Sequence, residues 1–145
     1  MDKHLTLELV TPEKVAWSAP ADFVVLPAFE GEMGVLPGHQ SFLVQLTAGE
    51  VRVTDKGEVK SFAVSGGFAE VKDDKIALFA ETAELGDQID TERARQALER
   101  SKGEAVKPGL DPLQLAEMEA AIRRAQVRLR VSRRVKTVPP HLEDR

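Results

Sequence analysis

The chain has no cysteine, no tyrosine and one tryptophan, and its last aromatic residue is Phe79 in a length of 145. Without cysteine there is no disulfide framework, no thiolate metal centre and no cysteine nucleophile, which fits a reducing compartment. Long apolar runs are missing too. The longest uncharged apolar stretch, Phe23 to Phe29, is interrupted by Pro27 and is far too short to cross a bilayer. The start Met1-Asp2-Lys3-His4 lacks the apolar run of a signal peptide, so the expectation is a product that stays in its compartment of synthesis and does not insert into a membrane. Catalytic strings are also lacking. No Gly-x-x-x-x-Gly-Lys-Ser/Thr loop is present, so ATP hydrolysis is not expected and any nucleotide must be held by side chains. Ala63, not glycine, stands two residues before Ser65, which removes the nucleophile elbow of a hydrolase. His4, His39 and His141 have no partners at metal-ligand spacing. The expectation is therefore a non-enzyme that requires neither metal nor cofactor.

What is present is a globular composition, 42% hydrophobic and 30% charged, with a net charge of −4 that hides an asymmetry. Residues 1 to 88 hold 7 Lys+Arg against 15 Asp+Glu, whereas residues 89 to 145 hold 13 against 9. A basic C-terminal segment raises the question of nucleic acid. Its arginines come without the aromatics that stack bases, so a protein or nucleotide partner fits better.

From Leu5 to Ala80 short alternating or β-branched runs are separated by turn residues. Leu5, Leu7 and Leu9 alternate, Phe23 to Leu26 form a buried run, Val51 and Val53 precede Asp55-Lys56-Gly57, Phe62 and Val64 precede Gly66-Gly67, and Lys72-Asp73-Asp74-Lys75 turns into Ile76 to Ala80. The pattern implies an antiparallel β-sandwich or flattened barrel over residues 1–86. After Gly86 the period changes. Asp90 is an N-cap candidate, and Ala94, Ala97, Leu98 and Ser101 form one stripe to an expected stop at Gly103, a helix of eleven or twelve residues. Lys107-Pro108-Gly109 reads as part of a linker near 103–110. Asp111-Pro112 starts a second helix, about twice as long, whose stripe is Leu115, Met118, Ile122, Ala125 and Leu129 and which is expected to end near Val135, before Pro139-Pro140. The fold class is α+β, with residues 87–145 as a two-helix hairpin. Its stripes are narrow and rich in alanine, so the pair is expected to be only marginally stable alone.

Two groups of residues stand out. Glu30-Gly31-Glu32-Met33-Gly34-Val35-Leu36-Pro37-Gly38-His39 has three glycines able to take positive φ and a proline that fixes φ, which makes it a docking-loop candidate with Glu30, Glu32 and His39 as its ionisable groups and Met33, Val35 and Leu36 as its apolar ones. Arg93 and Arg100, seven apart, share a face of the first helix, and Arg124 and Arg128, four apart, share a face of the second. In a hairpin these pairs could face one anion, a phosphate chain or carboxylates; equally, they could form a solvated basic face among Glu92, Glu99, Glu117 and Glu119.

The loop, with Val64-Ser65-Gly66-Gly67-Phe68-Ala69-Glu70-Val71, resembles the epsilon subunit family of F-type ATP synthases, in which a Gly-Glu-x-Gly-x-x-Pro-Gly-His loop is followed by a Ser-Gly-Gly strand. The likeness runs over nearly the whole chain, with His39-Gln40-Ser41-Phe42 standing where many relatives continue His-Ala-Pro-Leu. Ile89-Asp90-Thr91-Glu92-Arg93-Ala94 is similar to the Ile/Leu-Asp-x-x-Arg-Ala signature of family members that bind ATP, and Arg124-Ala125-Gln126-Val127-Arg128-Leu129 to their Arg-Ala-x-x-Arg-Leu segment. The resemblance implies a rotor subunit on the cytoplasmic face of a bacterial membrane, its sandwich fixed to gamma and to the ring of c subunits through the Glu30 to His39 loop. It also implies a helical hairpin that reaches the alpha/beta catalytic head and brakes ATP hydrolysis, with ATP as a regulatory ligand at Glu84, Ile89, Asp90, Arg93, Arg100, Arg124 and Arg128. Two rivals stay open: a stand-alone ATP-binding regulatory module, and an RNA-binding barrel with a basic tail.

Overall fold

The computed structural model describes residues 4–137; Met1 to Lys3, Pro139-Pro140 and His141 lie outside the described residues. The chain divides into two compact units, Met1–Leu85 and Gly86–Arg145. The first holds strands β1 (Leu5–Val10), β2 (Val15–Ala21), β3 (Phe23–Ala28), β4 (Gly31–Val35), β5 (Phe42–Asp55), β6 (Glu58–Lys72), β7 (Lys75–Ala80) and β8 (Ala83–Leu85). The second holds a single 3-10 turn, Gly86–Gln88, and helices α1 (Thr91–Ala105) and α2 (Pro112–Thr137).

The strands run in the order β2-β1-β7-β6-β5-β3-β4, with β8 paired to β6 off that path. Because β2 and β4 are ends of the path, the sheet is open and the architecture is a sandwich, not a closed barrel. All pairings are antiparallel except β1 with β7, which run parallel with Leu7 beside Ile76 and Leu9 beside Leu78. β5 and β6 form one long hairpin from Phe42↔Val71 to Asp55↔Glu58. The far half of β6 pairs with β7 and its near half with β8, while the far half of β5 pairs with β3. The hairpin therefore contributes one half to each layer. Inward alternation does the rest: Leu5, Leu7, Leu9, Val24, Leu26, Val51, Val53, Ile76 and Leu78 are almost wholly buried in one core.

Gly66-Gly67, read from the sequence as the end of a strand, lies inside β6, with both residues at positive φ where the strand passes between layers. A β-carbon on Gly67 would lie 1.9 Å from the carbonyl oxygen of Phe79. No side chain fits there at any rotamer.

In the second unit Asp90 caps α1, its carboxylate accepting the Arg93 N–H at 3.0 Å. Asp111 caps α2 in the same way through the Gln114 N–H at 2.8 Å. The expected stop at Gly103 is overturned, since α1 continues to Ala105. A mid-helix glycine costs no more than about 1 kcal/mol, whereas Pro108 forbids continuation and disfavours helix just before it. Thr91 Oγ1 donates to Ser132 Oγ at 3.4 Å, so the start of α1 lies against the far part of α2 and the pair is antiparallel. Ala94 and Leu98 of α1, and Ala125, Leu129 and Ser132 of α2, are buried along this seam.

Gly67→Ala should be among the most destabilising single changes in the sandwich, lowering the free energy of unfolding by about 3 kcal/mol through the clash and the positive φ together. Urea denaturation of the purified chain measures it; a loss under about 1 kcal/mol would mean that β6 shifts to make room.

Candidate docking turn and arginine face

Glu30 to His39 is not one loop. Glu30 sits in the turn after β3, and Gly31 to Val35 form β4, a five-residue edge strand paired only with β3. Of the three glycines, Gly31 and Gly38 take positive φ, at 123° and 85°. Gly34 is extended and has a different use: a β-carbon there would lie 2.9 Å from the Phe23 ring. Val35 is fully buried in the core, so it is not open to a partner. Met33 is half-buried, and Leu36 is 58% exposed. Leu36-Pro37-Gly38-His39 closes as a turn, with the His39 N–H donating to the Leu36 carbonyl at 3.2 Å. Proline at the second place and a positive-φ glycine at the third make it type II. The His39 ring packs edge-on to Phe42 at 4.8 Å and its Nδ1 lies 2.9 Å from the Gln40 carbonyl.

Glu32 is tied to its own sheet. Arg52 on β5 reaches across β3 and donates twice to the Glu32 carboxylate, at 2.9 and 3.0 Å, and once to Glu50 at 3.1 Å. The hydrogen bond to Glu32, against the opposing effect of burial, and then that to Glu50 hold the Arg52 guanidinium well above its ordinary pKa. The bridge spans a stretch where the β3–β5 register is interrupted between Val25 and Ala28, and where Pro27 offers no N–H.

A second exposed surface carries residues that the sequence reading did not single out. Phe68 on β6 and Phe79 on β7 are register partners whose rings stack at 4.9 Å. Leu43 on β5, 69% exposed, is diagonal to Phe68 in the β5–β6 ladder. With Val10 and Pro12 the two rings line a shallow groove. The signal that could have found them is alternation: they occupy the outward places of strands whose inward places are already apolar.

The nucleotide candidates divide between the units. Glu84 lies in β8, half-buried and partnered. Ile89 is buried, so its side chain is not open to a ligand, and Asp90 is the α1 cap. Counting about 1.5 Å per residue from the Thr91–Ser132 bond puts Arg100 within about 2 Å of Arg124 along the hairpin, and Arg93 within about 3 Å of Arg128. By helical phase all four lie on one side of the seam defined by Ala94, Leu98, Ala125 and Leu129. Arg93, Arg100 and Arg124 are exposed, and their side chains make no hydrogen bond or ion pair among the described residues; Arg128 is half-buried and partnered. Arg95, by contrast, is bound to Glu92 at 2.6 Å, which raises the pKa of the guanidinium and lowers that of the carboxyl through the same bond. Among the described residues no cluster of three or more His, Cys, Asp or Glu could hold a metal, and no helix is long and apolar enough to cross a membrane.

Comparison with known proteins identifies the family. Residues 4–86 match the ATP synthase delta/epsilon chain beta-sandwich domain, and residues 87–133 its long alpha-helix domain. The ATP synthase epsilon chain of Nitratidesulfovibrio vulgaris is 44% identical over 133 residues, covering 90% of this chain and 97% of that one. That of Geobacter sulfurreducens is 39% identical over 132 residues, covering 91% and 96%. A chain in the mitochondrial ATP synthase OSCP/F1/c-ring structure of Euglena gracilis aligns with a TM-score of 0.75 at 28% identity, over 87% of this chain and 79% of that chain. A chain in the central stalk/c-ring structure from Tetrahymena thermophila aligns at 0.59 and 15% identity, over 88% and 96%, which is a likeness of fold alone. The chain belongs to the ATP synthase delta/epsilon family, as an epsilon-type, non-catalytic subunit of the central stalk.

The Arg52–Glu32 bond should register in a double-mutant cycle. With Glu32 60% exposed and Arg52 25% exposed at the side chain, Arg52→Ala and Glu32→Ala should show a coupling energy of about 1 kcal/mol in urea denaturation, falling as salt is raised. Additive effects would mean that the fork holds nothing.

Proposed function

We propose that this subunit fixes the rotor of a bacterial ATP synthase, transmits torque from proton flow to the catalytic head, and restrains ATP hydrolysis through its helical hairpin in response to ATP. It works peripherally, on the cytoplasmic face of the membrane. The observation that carries the docking half is the rigid type II turn at Leu36–His39, which holds an exposed leucine between the paired Glu32 and His39. Such a tip suits the polar loops of a c-subunit ring. The stacked Phe68 and Phe79, flanked by Leu43, offer gamma an apolar face of the kind that packs at stable interfaces.

The regulatory half is supported by the arginine face. Guanidinium groups gathered on one side of a hairpin repel one another, and a polyphosphate neutralises that repulsion while bridging both helices. ATP bound by Asp90, Arg93, Arg100, Arg124 and Arg128 favours the closed hairpin by RT ln(1 + [L]/Kd), about 2.7 kcal/mol at a hundredfold excess over Kd. When ATP is scarce the hairpin opens, and its basic second helix meets acidic surfaces of the alpha/beta head.

Two measurements test these halves. Replacing Leu36 and His39 with alanine should lower proton-driven ATP synthesis in membrane vesicles severalfold while the isolated chain keeps its thermal midpoint; undiminished synthesis would remove the docking assignment. Titration calorimetry of the isolated chain should give binding heat with ATP, weakened about tenfold or more by Arg93→Ala and by Arg124→Ala. No heat at millimolar ATP would leave the arginines a solvated face. Truncation after Gly109 should raise hydrolysis by the assembled complex without abolishing synthesis.

A further inference from the structure

We infer that Asp74, a residue of the distant β6–β7 turn, is the positioning residue for the Leu36–His39 turn, holding it in the conformation that docks; this rests on the docking reading above. The Gly38 N–H donates to the Asp74 carboxylate at 2.6 Å, across 36 residues of sequence. Gly38 is the third residue of a type II turn, and that N–H points out of the turn, unused by the turn's own hydrogen bond. Without Asp74 only water would satisfy it. The turn's internal bond, at 3.2 Å, is long beside this one. A carboxylate acceptor makes the contact charge-assisted and directional.

Asp74 is itself anchored. Its carbonyl accepts the Thr6 N–H at 2.9 Å, so the residue that grips the docking turn with its side chain is fixed to β1 with its backbone. The tip is thereby referenced to β1 and β7 as well as to the strands that flank it. The backbone at Asp74 also carries a cost. Asp73 and Asp74 both have positive φ, at 51° and 59°, as a two-residue type I′ hairpin turn requires. Asparagine or aspartate followed by glycine suits that turn best, and an aspartate at the second place holds a conformation that glycine would adopt with less strain. Strain kept at a residue whose side chain reaches a site elsewhere points to a use for that side chain. Asp73, its exposed neighbour in the same conformation, makes no side-chain hydrogen bond among the described residues and serves as the internal control.

The experiment compares Asp74→Gly, Asp74→Asn and Asp73→Gly, in the isolated chain and in the reassembled synthase. Amide exchange of Gly38, followed by NMR, should speed up about tenfold or more in Asp74→Gly, where the acceptor is gone, and much less in Asp74→Asn, whose side-chain oxygen can still accept. Thermal midpoints should stay close to that of the unaltered chain, because relief of the left-handed conformation offsets the lost bond. Proton-driven ATP synthesis in vesicles should fall severalfold with Asp74→Gly, recover with Asp74→Asn, and be untouched by Asp73→Gly. A loss that merely tracked stability would come with a lowered thermal midpoint in Asp74→Gly. Unchanged Gly38 exchange in Asp74→Gly overturns the clamp. Faster exchange with full synthesis overturns its role in docking: if the Leu36/His39 variant still loses synthesis, docking stands and only Asp74 is dismissed, and if that variant too keeps full synthesis, the docking reading falls with it.

Discussion

Everything in the sandwich depends on one close approach, that of the β6 backbone at Gly67 to the β7 carbonyl of Phe79. Two consecutive glycines at positive φ let the long hairpin pass between layers, so that Val64 and Val71 of one strand both reach a common core. The same geometry turns Phe68 outward beside Phe79, and the inner core and the outer aromatic face are thus products of a single bend.

From that bend follows the arrangement of loops. Pairing of Phe42 with Val71 brings the start of β5 beside the end of β6, and so the turn before β5 beside the turn after β6. Gly38 and Asp74 meet for that reason and not through proximity in sequence. On the other side, Arg52 holds the short edge strand β4 across the proline interruption in β3. An edge strand of five residues paired on one side is weakly held by its backbone alone, and a bidentate side-chain bond supplies what the interrupted ladder does not.

The sandwich-then-hairpin order was legible because period-2 runs such as Leu5-Leu7-Leu9 and the later three- and four-residue spacing are direct images of burial. Pro37-Gly38 was legible as a turn because its chemistry is local. β2, β4 and β8 were not read as strands, since β2 carries Pro20 on an edge, β4 holds two glycines, and β8 is three residues long. Gly66-Gly67 was read as an end because the carbonyl that requires glycine there comes from another strand. The Arg52 fork and the Asp74 clamp join residues 20 and 36 apart, and no periodicity encodes such pairs. Helical spacing supplied the arginine set and the family signature agreed with it, but that Arg95 is spent on Glu92 while Arg93 is not is a fact of helical phase.

The two units also differ in how firmly each is held. The sandwich buries large aliphatic side chains from six of its strands in one cluster, whereas the second unit buries fewer, Ile89, Leu98, Val127, Leu129 and Val131, beside Ala94 and Ala125. Alanine buries little area, so Ala94 and Ala125 add little against the entropy of ordering two helices. Charge acts in the same direction. Every exposed arginine on the common side of the hairpin raises the energy of the closed arrangement relative to an open one, because closing brings like charges nearer. Modest burial and like charge thus act together on the pairing of α1 with α2, and neither acts on the core of the sandwich, which is aliphatic throughout its largest fully buried side chains.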